Sequence, residues 1–174
     1  PILLILEDVV AKDLSFLVYY LIAIGIPFVA IHLVRRKRTG AGSYNFSFGS
    51  ARVMVLVSVA GIAMLIGIIM PIVNLIPVPE FLEKMFLEFA DQKGIILFIT
   101  LVIVAPVLEE LIFTGIILNG LLQRYSPLKS IIISSILFGL VHLNPWQFIG
   151  ALFGGLFSGW VYYRTRKLTL PILI

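Results

Sequence analysis

The chain has no cysteine, only two histidines, and nine acidic residues in 174 positions. The missing cysteine excludes disulfides, thiolate metal sites and a cysteine nucleophile. Charged residues make up 13% of the chain, about half the roughly 25% of an ordinary soluble domain. With 60% hydrophobic residues and a mean hydropathy of +1.12, that scarcity excludes a soluble protein and implies a polytopic membrane protein. The length leaves no room for a second domain, since each span takes about 20 residues; residues 1–174 are expected to form one membrane-embedded domain. The opening residues PILLILEDVVAKD lack a basic leader and a small-residue cleavage site. Starting at Pro1 and stopping at Ile174 inside an apolar run, the chain is expected to be a piece cut at both ends.

Hydropathy and loop charge predict an all-α polytopic transmembrane helix bundle with about five complete spans and a truncated sixth. The spans are Leu14 to Val34, Val53 to Ile76, Gly94 to Leu122, Ser130 to about Leu143 and Trp146 to Tyr163, with LTLPILI opening the sixth. Between the second and third, Pro79 to Lys93 carries Phe81, Leu82, Met85, Phe86 and Phe89 at helical spacing with acids between, which predicts one amphipathic interfacial helix. If the loops alternate sides, residues 35–52, 123–129 and 164–167 share one face and hold ten of the thirteen Lys and Arg residues with no acid. The positive-inside rule puts that face in the cytoplasm and the start of the chain outside. Topology thus accounts for the net charge of +4, and no nucleic-acid partner is read from it.

Of the nine acids, only Glu109 and Glu110 lie inside an apolar span. Carboxyls at bilayer depth are costly and mark functional sites by default. Pro106 stands three residues earlier and is expected to kink the span or free a carbonyl. Glu109 precedes Arg124 by fifteen residues and His142 follows Lys129 by thirteen, so at 1.5 Å per residue each is roughly 20 Å from the cytoplasmic basic residues. The short QRYSPLK connection predicts that their helices are antiparallel neighbours. A carboxylate and an imidazole at matched depth suit hydrolysis, with Glu109 taking a proton from water. His142 could hold that water, share a metal with Glu109, or donate to an oxyanion; as a lone His it could also serve only as an interhelical hydrogen-bonding group. His32, beside the Arg35 cluster, reads as an interfacial residue. Asn119 and Asn144 read as helix caps or backbone partners, Phe138 as packing, and the glycines at 150, 154, 155 and 159 as a close-packing face.

Glu109-Glu110-Leu-Ile-Phe-Thr-Gly115 resembles the first motif, E-E-x-x-x-R, of the CAAX protease and bacteriocin-processing family of intramembrane endopeptidases, which includes the Ras-converting CAAX endopeptidases. Phe138-Gly-Leu-Val-His142 resembles the family's second motif, F-x-x-x-H, and the similarity covers about residues 94–174. The resemblance implies a glutamyl or metallo-type intramembrane protease in which Glu109 activates a water with His142 and Glu110 supports the site. Thr114, Phe138 and Asn144 are the expected site-lining residues. The implied substrate is a peptide or lipidated protein in the bilayer, prenylated in the CAAX manner or related to bacteriocins. A divalent metal such as zinc is left open, with Glu109 and His142 as its ligands if one binds. The plasma membrane of a prokaryote is the expected location.

Two features depart from the pattern. Thr114 stands where the motif has Arg, four residues after Glu110 and on the same helical face. The last motif, another His, is expected just past Pro171-Ile-Leu-Ile174. Two rival readings follow: a non-catalytic binding or immunity scaffold of the same fold, which Thr114 favours, and a proton-coupled carrier, which would need polar residues along several helices and an internal repeat.

Overall fold

The computed structural model describes residue 11 and residues 13–40, 42–90 and 94–174. Every regular element among them is helical. Helix α1 runs Asp13–Thr39, α2 Ala51–Val73 and α4 Ile95–Leu121; these three have the length and composition to cross a membrane. Helix α3 is Glu80–Ala90, α5 Pro127–Leu140, α6 Pro145–Thr165 and α7 Thr169–Ile172. At 14 residues α5 is apolar but shorter than a full span, and α6, with 21 residues, is long enough but not one of the three sufficiently apolar helices. The outward residues of α2 are hydrophobic, with Val55, Leu56, Val59 and Ile62 each more than half exposed. In water so large an apolar surface would be an aggregation hazard; on an integral membrane protein, lipid covers it.

The three long helices are interrupted by wider π turns: Leu21–Gly25 in α1, Leu65–Ile69 in α2, and Thr100–Val104 and Leu111–Leu118 in α4. Three of these end two residues before a proline, namely Pro27, Pro71 and Pro106. Proline has no N–H to give and its ring presses on the carbonyl four residues back, so the preceding turn widens to i→i−5 bonding. The disturbance expected from Pro106 therefore takes the form of a π turn. The fourth π segment follows Glu110 directly and has no such proline.

Two compact units are present: Pro1–Ile31 with Pro77–Glu109, and His32–Ile76 with Glu110–Ile174. In the first, Asp13 is buried at 4% exposure and its Oδ2 accepts from the Leu97 amide at 3.3 Å. A carboxylate thus meets one of the unsatisfied N–H groups that open α4. Gly94 makes this possible, because a Cβ there would lie 1.5 Å from Asp13 Oδ2. In α3, Phe81 and Leu87 are exposed while Leu82 is half-buried; the side chains of Met85, Phe86 and Phe89 lie outside the described residues.

In the second unit α5 and α6 form a close hairpin. A Cβ on Gly139 would come 2.8 Å from the Phe148 ring, one on Gly155 would come 3.1 Å from Ser135 Oγ, and one on Gly159 would come 3.2 Å from Ile131. Gly154 meets nothing within 4 Å, so the small-residue face is used at some of its glycines only. Ser134 Oγ donates to the Phe113 carbonyl at 2.9 Å, tying α5 to the fourth π segment. At one end of this unit the loop 40–50 is stitched to residues 166–169. Leu168 N donates to Asn45 O at 2.8 Å, Asn45 Nδ2 to Arg166 O at 3.0 Å and Thr169 Oγ1 to Ser47 O at 2.7 Å.

Helix boundaries differ most from expectation at the fourth span. Helix α5 stops at Leu140 rather than near Leu143, and His142 lies just beyond it in the turn. The cause is local: Leu143 has φ +55° and Asn144, held extended before Pro145, caps α6.

Candidate active site

Glu109 and Glu110 close a short α-helical stretch, Ala105–Glu110, set between two π segments of α4. Such turns shift the helical phase and recur at functional sites. In the first unit, Tyr20 Oη donates to Glu109 Oε1 at 2.8 Å. That bond fixes one carboxylate oxygen of Glu109 in place. Tyr20 was not legible as a site residue, because it sits in an apolar helix 89 positions away and reads there as packing.

The remaining residues belong to the second unit. Glu110 is half-buried with its Oε2 shielded from solvent, and Thr114, one turn on, is buried at 4% exposure. His142 Nδ1 lies 3.0 Å from the Phe138 carbonyl. A carbonyl only accepts, so Nδ1 carries the proton and, in the neutral ring, Nε2 keeps the lone pair. Phe138 meets the His142 ring edge-on at 5.2 Å and itself packs on Phe113 at 4.9 Å. Asn144 Nδ2 donates to the His142 carbonyl at 2.9 Å and to Gln147 Oε1, while its Oδ1 accepts from Gln147 N at 2.8 Å. Asn144 therefore caps α6 and fixes the turn that carries His142.

His32 is also bonded within this unit: its Nδ1 pairs with Tyr44 Oη at 2.8 Å. The Tyr44 ring packs on the α4 backbone, 3.1 Å from where a Cβ on Gly115 would stand. Burial holds the Tyr44 hydroxyl above the usual phenol range, against the opposing pull of the Arg35 guanidinium. Among the described residues no three His, Asp or Glu side chains come together as a metal-ligand set. No chemical step is assigned to a metal.

The stretch containing Glu109, Glu110 and His142 matches a known family. The sequence model of the type II CAAX prenyl endopeptidase Rce1-like family matches residues 91–174. Residues 91–174, just under half of the chain, are thus similar to the Rce1-like family. The protein "Putative membrane peptidase YdiL" of Bacillus subtilis (strain 168) is 34% identical to this chain over 70 residues, 40% of the chain and 29% of that relative. The matched stretch thus spans under a third of the relative's length. No solved structure matches the chain. Tyr20, His32, Arg35 and Tyr44 all precede the Rce1-like segment.

Proposed function

We propose that the protein is a membrane-embedded CAAX-type endopeptidase in which Glu109 is the general base on a hydrolytic water. The observation that carries this reading is the Tyr20–Glu109 hydrogen bond of 2.8 Å, made to the first Glu of a doublet inside the Rce1-like segment. A base must be held in place, and the Tyr20 phenol does that at Oε1. The Glu109 carboxylate would take a proton from water as the hydroxide attacks a peptide carbonyl, and would return it to the departing amine as the C–N bond breaks. His142, with Nδ1–H engaged by Phe138, accepts from the water through its Nε2 lone pair, and would donate to the oxyanion only after Nε2 has gained a proton. Glu110 supports the site, and Thr114, Phe138 and Asn144 line it.

In this reading residues 1–174 form one membrane domain of five complete spans and part of a sixth, with the basic loops in the cytoplasm of a prokaryotic cell. The substrate is a membrane-associated peptide or protein, prenylated in the CAAX manner or related to bacteriocins. Thr114 supports a second reading, a binding or immunity scaffold of the same fold, because a buried Thr stands at the motif's Arg position. The two readings separate on a panel of prenylated and unmodified peptides presented to the purified protein in lipid nanodiscs. Peptidase action requires new peptide termini detected by mass spectrometry; binding of the panel by folded protein with no cleavage at any site would leave the scaffold.

A further inference from the structure

Away from the carboxyl doublet, the stitched end of the second unit collects positive charge without any acid. Segments 35–52, 123–129 and 164–167 hold ten Lys and Arg residues and no Asp or Glu. Most of these side chains extend outward, but Arg35 is half-buried. Its guanidinium lies over the Tyr44 ring at 4.8 Å, and its Nη1 is shielded from solvent with no acceptor among the described residues. The Arg35 charge also reaches the Tyr162 hydroxyl, as does that of Arg166, whose guanidinium lies 5.9 Å from the Tyr162 ring. Two guanidinium–phenol pairs thus stand in this unit, Arg35 over Tyr44 at the end of α1 and Arg166 by Tyr162 at the end of α6, and the Tyr162 hydroxyl feels both charges. A buried guanidinium N–H without an acceptor calls for an ion or water, and like charges drawn together call for an anion.

We propose that Arg35, Tyr44, Tyr162 and Arg166 form a binding site for a phosphate oxyanion carried by an anionic lipid headgroup, with Arg35 as the principal donor. The guanidinium fork matches phosphate geometry. Basic pockets at helix ends on the cytoplasmic side are where headgroups are held. The loop 40–50 is anchored to residues 166–169 by four hydrogen bonds, the fourth being Lys167 Nζ to Phe48 O at 2.9 Å. Tyr44 is thus held against Gly115 before any ligand arrives.

The test is thermal unfolding of the full chain in detergent micelles doped with phosphatidylglycerol, with phosphatidylcholine at the same mole fraction, or with inorganic phosphate alone. Phosphatidylglycerol is expected to raise the melting temperature above phosphatidylcholine, Arg35→Gln to abolish that difference, and Arg36→Gln, on an exposed neighbour, to keep it. A shift produced by inorganic phosphate as fully as by phosphatidylglycerol upholds the oxyanion site and overturns the headgroup as its carrier. If Arg35→Gln does not fold, Arg35→Lys, which keeps the charge and loses the fork, is expected to retain only part of the shift. No shift in the wild type, a full shift in either Arg35 variant, or an equal loss in Arg36→Gln overturns the site. The readout is independent of peptidase activity, so its failure would not bear on Glu109.

Discussion

Tyr20 and Glu109 lie 89 residues apart in the chain and meet through a 2.8 Å hydrogen bond from the phenol to Oε1. A hydrogen bond to a charged acceptor contributes about 1.5–3 kcal/mol. Tyr20→Phe removes the donor and keeps the ring, so the cleavage rate is expected to fall on the order of 10- to 100-fold. The loss should appear in kcat with KM little changed, because the bond orients the base and does not hold substrate. Steady-state kinetics on a fluorogenic peptide check this; an unchanged kcat would remove Tyr20 from the site.

Pro106 shapes the helix that presents the doublet. Pro106→Ala supplies the missing N–H and is expected to convert the π turn Thr100–Val104 toward α-helix, changing the rotational phase of the helix before Glu109. Small misplacements of a reacting group cost up to about 100-fold in rate. Cleavage should therefore drop at least about tenfold while circular dichroism shows full helicity. Retained activity together with an unaltered π turn in a solved structure would show that proline is not its cause.

Asn144 caps α6 and also bonds the His142 carbonyl at 2.9 Å. Asn144→Ala is expected to cost about 0.5–2 kcal/mol of stability, the range for losing an N-cap. Asn144→Asp keeps the acceptor for Gln147 N but loses the donor to His142, so it should restore stability better than activity. Thermal unfolding and cleavage measured on the same preparations separate the two effects.

The α5–α6 hairpin depends on glycine where the backbones are closest. Gly139→Ala places a methyl 2.8 Å from the Phe148 ring and 3.1 Å from its carbonyl oxygen and is expected to destabilise by about 1–3 kcal/mol. Gly154→Ala meets nothing within 4 Å and should be neutral or stabilising by up to about 1 kcal/mol, because alanine is the better helix former. Differential scanning fluorimetry of the two variants, side by side, checks the contrast.

Much of this was legible in the sequence, for physical reasons that also set the limits. Long apolar runs, the first ended by Arg36, Lys37 and Arg38, declare their helices, and Pro106 marked a disturbance in the span that carries the doublet, while the widening before Pro27 and Pro71 was not read. Glu109 and Glu110 stood out because charge in an apolar span has few innocent uses. The turn at His142 was harder: the apolar run carries on through Val141 and Leu143 to the break at Asn144-Pro145, so hydropathy placed the helix end three residues late. Tyr20, His32, Arg35 and Tyr44 could not be found this way. Their partners are chosen by tertiary contact, and a tyrosine in an apolar helix looks the same whether it packs or donates a hydrogen bond.

The most direct test compares peptide cleavage by the wild type and by Glu109→Gln, both shown to be folded, in the same lipid nanodiscs. Glutamine keeps the shape and can still accept from Tyr20 Oη, but it cannot take a proton from water. Cleavage is expected to fall on the order of 10²- to 10⁴-fold, the usual contribution of a general base. Equal rates for the two proteins would contradict the assignment of Glu109 as the base.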